Sequence, residues 1–413
     1  MSISPINFKS ETSSPGIYFN NDYDQASYLF QKSQISQEQK ELANWGWSVV
    51  TEDNSLSQKP PLEENKNKEF IATTKRQAIN CFYTLQGFTS VSLDYKRVFA
   101  KNLRPELKKE IERLMNSDLI EDMNKLQTIC RARDVLIIWK KLQDQVGGNI
   151  DLNLEKLNSA EDLIAKAEEF PKWFETHFES LSRIKELKLI GHQLTHLPEE
   201  IGCLLGLQRL ILMNNQLTSL PPMTLEGKPV MANLWELDLS NNQFTTLPEE
   251  IGHLNLWILS LRGNELNSVP SVVCQLKLMG FLDLSGNELT SLPTEMGQWP
   301  TRLQRLDISN NRFTMLPSEM GQLTKLDTLV LGGNSIASLP PEMGQLTKLE
   351  ALQLGNNPIT SLPQEMSQLP KLQIFYCSRL NMSLYYGLKA LAKLPSDILR
   401  EFYAARARAK KKV

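Results

Sequence analysis

A leucine motif that recurs about every 23 residues limits the possible folds of this chain more than any other feature of its sequence. The pattern Leu-x-x-Leu-x-Leu-x-x-Asn-x-Ile occurs at Leu326 and at Leu349, and both copies continue into Ser-Leu-Pro. Eight copies begin at Ile184, Leu207, Leu234, Leu256, Met279, Leu303, Leu326 and Leu349, at spacings of 23, 27, 22, 23, 24, 23 and 23 residues. A ninth, degenerate copy begins at Leu372. A fixed period of this length indicates stacked units, each of which needs its neighbours to bury its apolar surface.

Each copy is predicted to begin with a short strand and to turn at its asparagine. Alternate residues of a strand face opposite sides, so Leu352 and Leu354 of the eighth copy should face the core and Gln353 should face solvent. The asparagine amide can bond backbone groups that the turn leaves without partners. His192 occupies this position in the first copy, and the later copies carry Asn215, Asn242, Asn264, Asn287, Asn311, Asn334 and Asn357.

The motif resembles the leucine-rich repeat. The ending Leu-Pro-x-Glu-Met-Gly-Gln-Leu, found at residues 316–323 and 339–346, is similar to the intracellular repeats of the Ras-suppressor and scribble-like group. Leucine-rich repeat effectors of bacteria that live inside eukaryotic cells carry similar repeats. The resemblance implies an α/β leucine-rich repeat solenoid, a horseshoe with a parallel concave sheet, and it implies protein binding.

The composition outside the repeats predicts four further segments. Residues 1–66 are rich in Ser, Asn, Gln and Glu, which is typical of a disordered arm. Apolar residues at helical spacing predict a small all-α domain at 67–148, and an aromatic-rich segment at 149–183 suits a cap on the first repeat. The repeats are predicted to span 184–382, and a helical cap with a basic tail is predicted at 383–413.

Residues 102–142 of the helical domain resemble a degenerate F-box. The resemblance is carried by Leu103-Arg-Pro-Glu-Leu107, by Cys130-Arg131 and by Trp139. It implies docking to an adaptor of a ubiquitin ligase. The chain departs from the family pattern because Arg104 is inserted before Pro105 and because the segment between Cys130 and Trp139 is long. The alternative interpretation is a set of packing helices.

The net charge and the cysteine content indicate which class of partner and which cellular compartment to expect. A formal net charge of −2 argues against a general nucleic-acid binder, which usually carries a basic excess. Five scattered cysteines without a Cys-x-x-Cys pair favour reduced thiols, and hence a cytoplasmic protein, which a bacterium could also secrete into a host cell. Neither a signal peptide nor an apolar run long enough for a membrane span is expected. We expect a monomer.

Catalytic motifs are absent from the sequence. Neither a phosphate-binding G-x-x-x-x-G-K-[ST] nor H-E-x-x-H nor G-x-S-x-G occurs. We therefore expect no catalytic residues, no metal site and no cofactor. The expected function is that of a non-catalytic scaffold that binds a protein partner, with the ligase adaptor as the alternative.

The binding surface is predicted on the concave face, where equivalent strand positions of successive repeats become lateral neighbours. Repeats three to six place large aromatic side chains beside charges there, and such clusters are typical of interaction hot spots. The predicted surface comprises Trp235, Asp238, Trp257, Ile258, Arg262, Phe281, Asp283, Arg305 and Asp307. For the two tryptophans an alternative is open, in which both side chains fold down over the loops. For Phe281 and the aspartates, exposure on the surface is expected.

Overall fold

The computed structural model describes residues 62–82, 104–147, 157–221, 224–225, 228–229, 231–293, 295–296, 299 and 302–376. Met1–Lys68 and Glu69–Val413 form two compact units, and only the helical residues 62–68 of the first are described. Residues 1–61 of the predicted arm therefore lie outside the described residues. The predicted C-terminal cap at 383–413 lies outside them entirely.

Three helices form the first part of the all-α domain: α1 (Leu62–Phe82), α2 (Pro105–Met115) and α3 (Ile120–Val146). Helix α1 thus begins five residues before the predicted domain. Proline at the first position of α2 costs no hydrogen bond, because that N–H would have no partner within the helix. Leu107, Ile111 and Leu114 follow at spacings of four and three, so they share the buried face of α2. Helix α3 ends at Gly147, whose φ of 76° suits glycine.

Three shorter helices lead to the repeats: α4 (Ala160–Ala167), α5 (Phe170–Thr176) and α6 (Phe178–Leu181). A capping box starts α4, because Ser159 accepts from the Asp162 N–H and the Asp162 side chain bonds the backbone of Ser159. On α5, Phe170 and Trp173 pack against Trp139 of α3, with ring centroids 5.8 and 5.6 Å apart. The six helices and the repeats share one continuous apolar core, because its members run from Ala78 to Leu372.

The repeats form a parallel sheet of nine strands. The strands are β1 (Glu186–Lys188), β2 (Arg209–Ile211), β5 (Glu236–Asp238), β6 (Ile258–Ser260), β7 (Phe281–Asp283), β8 (Arg305–Asp307), β9 (Thr328–Val330), β10 (Ala351–Gln353) and β11 (Ile374–Tyr376). The central residues of the first eight strands in this sheet are leucines in register. Leu329 lies between Leu306 and Leu352, and all three are fully buried. Burying such a side chain contributes about 1.5–3 kcal/mol. The predicted register is confirmed.

A left-handed residue follows each of the first eight strands. It has φ between 52° and 72°, a region that only Gly and Asn among common residues tolerate well. The eight residues are Gly191, Asn214, Asn241, Gly263, Gly286, Asn310, Gly333 and Asn356. Because this position turns the chain out of the sheet, its restriction to Gly or Asn is part of the repeat signal.

The predicted asparagines form a ladder inside the turns, and all seven are buried. Asn264 is typical. Its amide donates to the carbonyls of Leu239 at 3.0 Å and Leu261 at 2.9 Å, and its oxygen accepts from Phe244 N at 3.0 Å. Each asparagine therefore joins two successive repeats through backbone groups that would otherwise be buried without partners.

The convex side is built from short 3₁₀ helices that follow the Leu-Pro or Val-Pro steps. They span Glu199–Cys203, Glu249–His253, Ser271–Gln275, Ser318–Gln322, Pro341–Gln345 and Gln364–Gln368. The longest repeat spacing accommodates a small antiparallel pair, β3 (Thr224–Leu225) and β4 (Lys228–Pro229).

Helix α3 is joined to the first repeat by a buried ion pair. Arg133 contacts Asp134 at 2.7 Å and donates to the carbonyls of His192 at 2.8 Å and Gln193 at 3.2 Å. Asp134 accepts from the backbone and hydroxyl of Thr195 at 2.7 and 2.8 Å. The first repeat is thus held by a helix that lies before the predicted cap at 149–183.

Candidate protein-interaction surface

The concave face is formed by the first and third residues of the three-residue strands, called here the outer and inner rows. The outer row contains Ile258, Phe281 and Arg305, which are adjacent in the sheet and half-buried. The inner row is mostly buried, because the neighbouring strands crowd its side chains. The outer row is therefore more accessible to a partner than the inner row.

The first three strands use the outer row for ion pairs with one another. Arg209 contacts Glu186 at 2.6 Å and also bonds Glu236, which links β1, β2 and β5. The same guanidinium lies 5.7 Å from the ring centre of Trp235. Trp235 is half-buried under this arginine. The outer-row charges of these three repeats therefore already have partners within the sheet.

The inner-row aspartates are not open charges. Asp283 and Asp307 are only 3% and 5% exposed, so the expectation that both lie on the surface is wrong. Each accepts a hydrogen bond from the hydroxyl of the serine two residues later, Ser285 and Ser309, at 2.6 Å. Asp238 has the same arrangement with Ser240, but it is half-buried. The recurring Asp-x-Ser spacing is a sequence signal that could have predicted this arrangement.

Burial changes the titration of these two carboxyls. Burial itself, followed by the neighbouring Asp307 carboxylate, raises the pKa of Asp283 to about 6. Ser285 and Arg262 oppose this rise. Burial also raises the pKa of Asp307, against the opposing effects of Ser309, Arg262 and Arg305. Arg262 and Arg305 therefore compensate charge that lies beneath the surface.

Trp257 is the most exposed aromatic side chain of the predicted surface, at 36%. Its indole lies against Gly280, since a Cβ built on this glycine would come within 2.3 Å of the ring. The ring thus rests on the backbone of the next strand, which is possible only because residue 280 has no side chain. Next to it, Phe281 packs under Arg305, whose guanidinium carbon is 5.2 Å from the ring centre.

A groove of about 520 Å³ extends from Trp257 along the ends of the strands where the chain enters the sheet. Its walls include three cations, Arg302, Lys325 and Lys348, and the acids Asp327 and Glu350. The sequence prediction missed these residues. A basic residue directly before the first leucine position of successive repeats was the available signal.

The described residues offer no metal site, because no three His, Cys, Asp or Glu side chains come together in them. Four of the five cysteines, Cys81, Cys130, Cys203 and Cys274, are free thiols, and Cys377 lies outside the described residues. None of the helices that the structure describes is long and apolar enough to cross a membrane.

Comparison with known proteins extends these observations. Residues 205–266, 281–336 and 324–381 match the family model of the leucine-rich repeat. A comparison with curated proteins gives no match.

Solved structures similar to this chain come from bacteria and plants. A leucine-rich repeat protein of Leptospira interrogans is 35% identical over 53% of this chain and 55% of its own length, with a TM-score of 0.47. Internalin C2 of Listeria monocytogenes is 22% identical over 59% of this chain and 96% of its own length, with a TM-score of 0.46. The Arabidopsis receptor kinase HAESA is 28% identical over 48% of this chain and 35% of its own length, with a TM-score of 0.42. The chain therefore spans about half the length of the Leptospira protein and about a third of the plant receptor.

The parallel register, the asparagine ladder and the family match agree on one assignment. The chain contains a leucine-rich repeat solenoid, which is preceded by an all-α domain.

Proposed function

We propose that this protein is a non-catalytic scaffold that binds a protein partner on the concave face of repeats four to six. The leucine-rich repeat is a common scaffold for protein–protein interaction, and the finer proposal is the location of the surface. It centres on Trp257, Ile258 and Phe281, flanked by Arg262 and Arg305.

The observation that carries the proposal is the contrast along the outer row of the sheet. Repeats one to three use their outer row for the Glu186–Arg209–Glu236 ion pairs. Repeats seven and eight have the small residues Thr328 and Ala351 there. Between these two stretches, Ile258 and Phe281 combine large apolar area with partial exposure. Large side chains that a partner can cover typically dominate binding energy.

The experiment is affinity capture with the full chain, followed by binding measurements on the captured partner with purified variants. Trp257→Ala and Phe281→Ala should each weaken binding by about 2–4 kcal/mol, which is roughly 30- to 1000-fold in Kd. Met315→Ala is the matched control, because Met315 is a large apolar residue that is 70% exposed and lies outside the concave face.

The control variant should bind like the parent chain, and all three variants should unfold cooperatively in thermal melts. Equal affinity of the parent, Trp257→Ala and Phe281→Ala chains for the captured partner would remove this face as the binding site.

A further part of the proposal concerns where the partner is found. The similarity of the Leu-Pro-x-Glu-Met ending to repeats of bacterial effectors supports a secreted protein that binds a host protein. The free thiols of Cys81, Cys130, Cys203 and Cys274 suit a reducing cytoplasm. A translocation reporter fused to the full chain tests this part, and retention of the reporter in the producing cell would contradict it.

We also propose a monomer, which light scattering on the purified chain tests.

The ligase-adaptor alternative has less support. Two residues that carry the F-box resemblance, Cys130 and Trp139, are each 2% exposed. Trp139 packs on Phe170 and Trp173, so it is not available to a docking adaptor. Co-purification with a ligase adaptor that is lost on deleting 102–142 would reverse this preference.

A further inference from the structure

Four basic residues form a row along the rim of the sheet, called here the basic rim. Each precedes the first leucine position of its repeat, and each is exposed. The basic rim consists of Arg302, Lys325, Lys348 and Lys371. Neighbouring strands of a sheet are about 4.8 Å apart, so the backbones that carry these cations are spaced closely enough to act on one ligand.

The basic rim is not neutralised within the part of the chain that the structure describes. None of its four cations takes part in an ion pair there, whereas nearby Arg312 contacts Glu288 at 2.9 Å. Asp327 and Glu350 line the same groove but pair with none of the four. The Asp327 carboxylate instead accepts from the hydroxyl of Thr328 at 2.8 Å. The cations are therefore free to meet negative charge from outside.

An apolar platform stands at one end of the groove. One side of the Trp257 indole rests on Gly280, and the rest of the ring is partly exposed to the groove. The three rim cations within the groove begin two repeats further on. From β6 to β10 there are four inter-strand steps, or about 19 Å, which about six residues of extended chain would span. The groove thus has the length, the charge and the terminal anchor for a short linear segment.

We propose that the groove binds an extended acidic segment of the protein partner, with acidic side chains on the basic rim and a large apolar side chain on Trp257. This inference rests on the proposed function, because it gives the chemistry of a partner that reaches the concave face. The groove continues from Trp257, which belongs to both surfaces. The partner segment would run across the strands, along the solenoid.

The two acids in the groove favour a peptide over a nucleic acid. Asp327 and Glu350 alternate with the cations, and their carboxylate oxygens can only accept hydrogen bonds. An extended peptide has backbone N–H groups that can donate to them, while its acidic side chains reach the lysines. A DNA phosphate backbone offers only acceptors and would be repelled by both carboxylates.

The test uses the full chain and fluorescent heptapeptides in a polarisation assay. The acidic probe alternates three Glu with Ser and carries a terminal Leu, at either end in two separate peptides. The control probe has Lys in place of each Glu. A single-stranded oligonucleotide of seven thymidines tests for nucleic acid. At least one acidic probe should bind at least tenfold more tightly than either control, and its affinity should fall with added salt.

Charge-reversal variants locate the binding site. The rim variant combines Arg302→Glu, Lys325→Glu and Lys348→Glu. The control variant combines Lys109→Glu, Lys172→Glu and Lys277→Glu, three exposed cations elsewhere, so the net charge is the same. The rim variant should lose at least tenfold in affinity for the acidic probe, and the control variant should stay within twofold of the parent.

Equal affinity in the two variants, no binding of either acidic probe, or tighter binding of the oligonucleotide would each overturn the inference. These failures are separate from failure of the proposed function. If Phe281→Ala weakens binding of the captured partner while the rim variant binds it like the parent, the concave-face function stands and the basic rim plays no part in it.

Discussion

The joint between α3 and the first repeat and the basic rim of repeats six to nine use charge in opposite ways. At the joint, Arg133 and Asp134 are buried, and Asp134 accepts hydrogen bonds from Arg133, Thr195 and His196. At the rim, the cations are exposed and have no ion pair among the described residues. The first arrangement holds two parts of the chain together, and the second leaves its interactions for a partner.

The physical reason for the difference is solvation. A buried charge needs a full set of partners, because removing it from water costs several kcal/mol, and burial accordingly raises the pKa of Asp134. An exposed charge is already stabilised by water, so it can remain without a partner at little cost. Substitutions should therefore act on stability at the joint and on binding at the rim.

The largest effect is expected at the joint. Asp134→Ala leaves the Arg133 guanidinium buried without its counter-charge and removes the acceptor of the Thr195 and His196 N–H groups. We expect a loss of about 3–5 kcal/mol in the free energy of unfolding, measured by urea denaturation. The matched control is Asp144→Ala, which breaks the exposed Lys140–Asp144 pair of the same helix. The control should change stability by less than about 0.5 kcal/mol. Similar losses in the two variants would contradict the structural role of the joint.

The asparagine ladder should rank second, because its partners are neutral backbone groups. Asn264→Ala removes the donor for the carbonyls of Leu239 and Leu261 and the acceptor for the Phe244 N–H. A loss of about 1–3 kcal/mol is expected in the same denaturation experiment. Asn267→Ala changes an exposed asparagine of the same repeat and should be nearly neutral. A neutral result at Asn264 would mean that the ladder contributes little to repeat stacking.

Asp283 is intermediate between the joint and the rim. It is buried like Asp134, but its hydrogen bonds and the nearby Arg262 offset only part of the cost of burying its charge. Its pKa of about 6 in the folded state lies above the ordinary value of 3.8, so the folded chain holds the proton more tightly. Stability is therefore lost as pH rises from 3.8 through 6, and the cost of the charge is complete above pH 6.

Asp283→Asn removes that charge while its amide oxygen can still accept from Ser285. We expect a gain of about 1–3 kcal/mol in thermal melts at pH 7.5, shrinking towards pH 4. Asp238→Asn, at the half-buried equivalent position, should show a smaller gain. A gain that grows towards acid pH would show that the sign assigned to Asp283 is wrong.

The smallest effect on stability should come from the rim itself. Lys325→Glu alters an exposed side chain that has no ion pair in the described chain, so unfolding should change by less than about 0.5 kcal/mol. The same substitution should measurably weaken binding of the acidic probe peptide. A destabilised Lys325→Glu chain would indicate that the rim has a structural role, and it would contradict the conclusion that charge acts on stability only at the joint.

The fold could be predicted in detail because the same motif occurs eight times, and each copy gives the register of its strand. The leucines, the asparagines and the parallel order of the strands all follow from one alternation of inward and outward residues. The candidate surface could be predicted only in outline. Trp257 and Phe281 were placed on the sheet, but the burial of Asp283 and Asp307 depends on the neighbouring strands and on the serines two residues later.

The sequence by itself determined which residues face the shared core, because burial of one face is enforced by the period. Only the tertiary structure decided which outward residues have partners already. Arg209 is held between Glu186 and Glu236 of neighbouring repeats, and Trp257 lies on the bare backbone of Gly280. The physical reason is that these contacts join residues more than 20 positions apart, so they depend on the distance and rotation between repeats rather than on the pattern within one repeat.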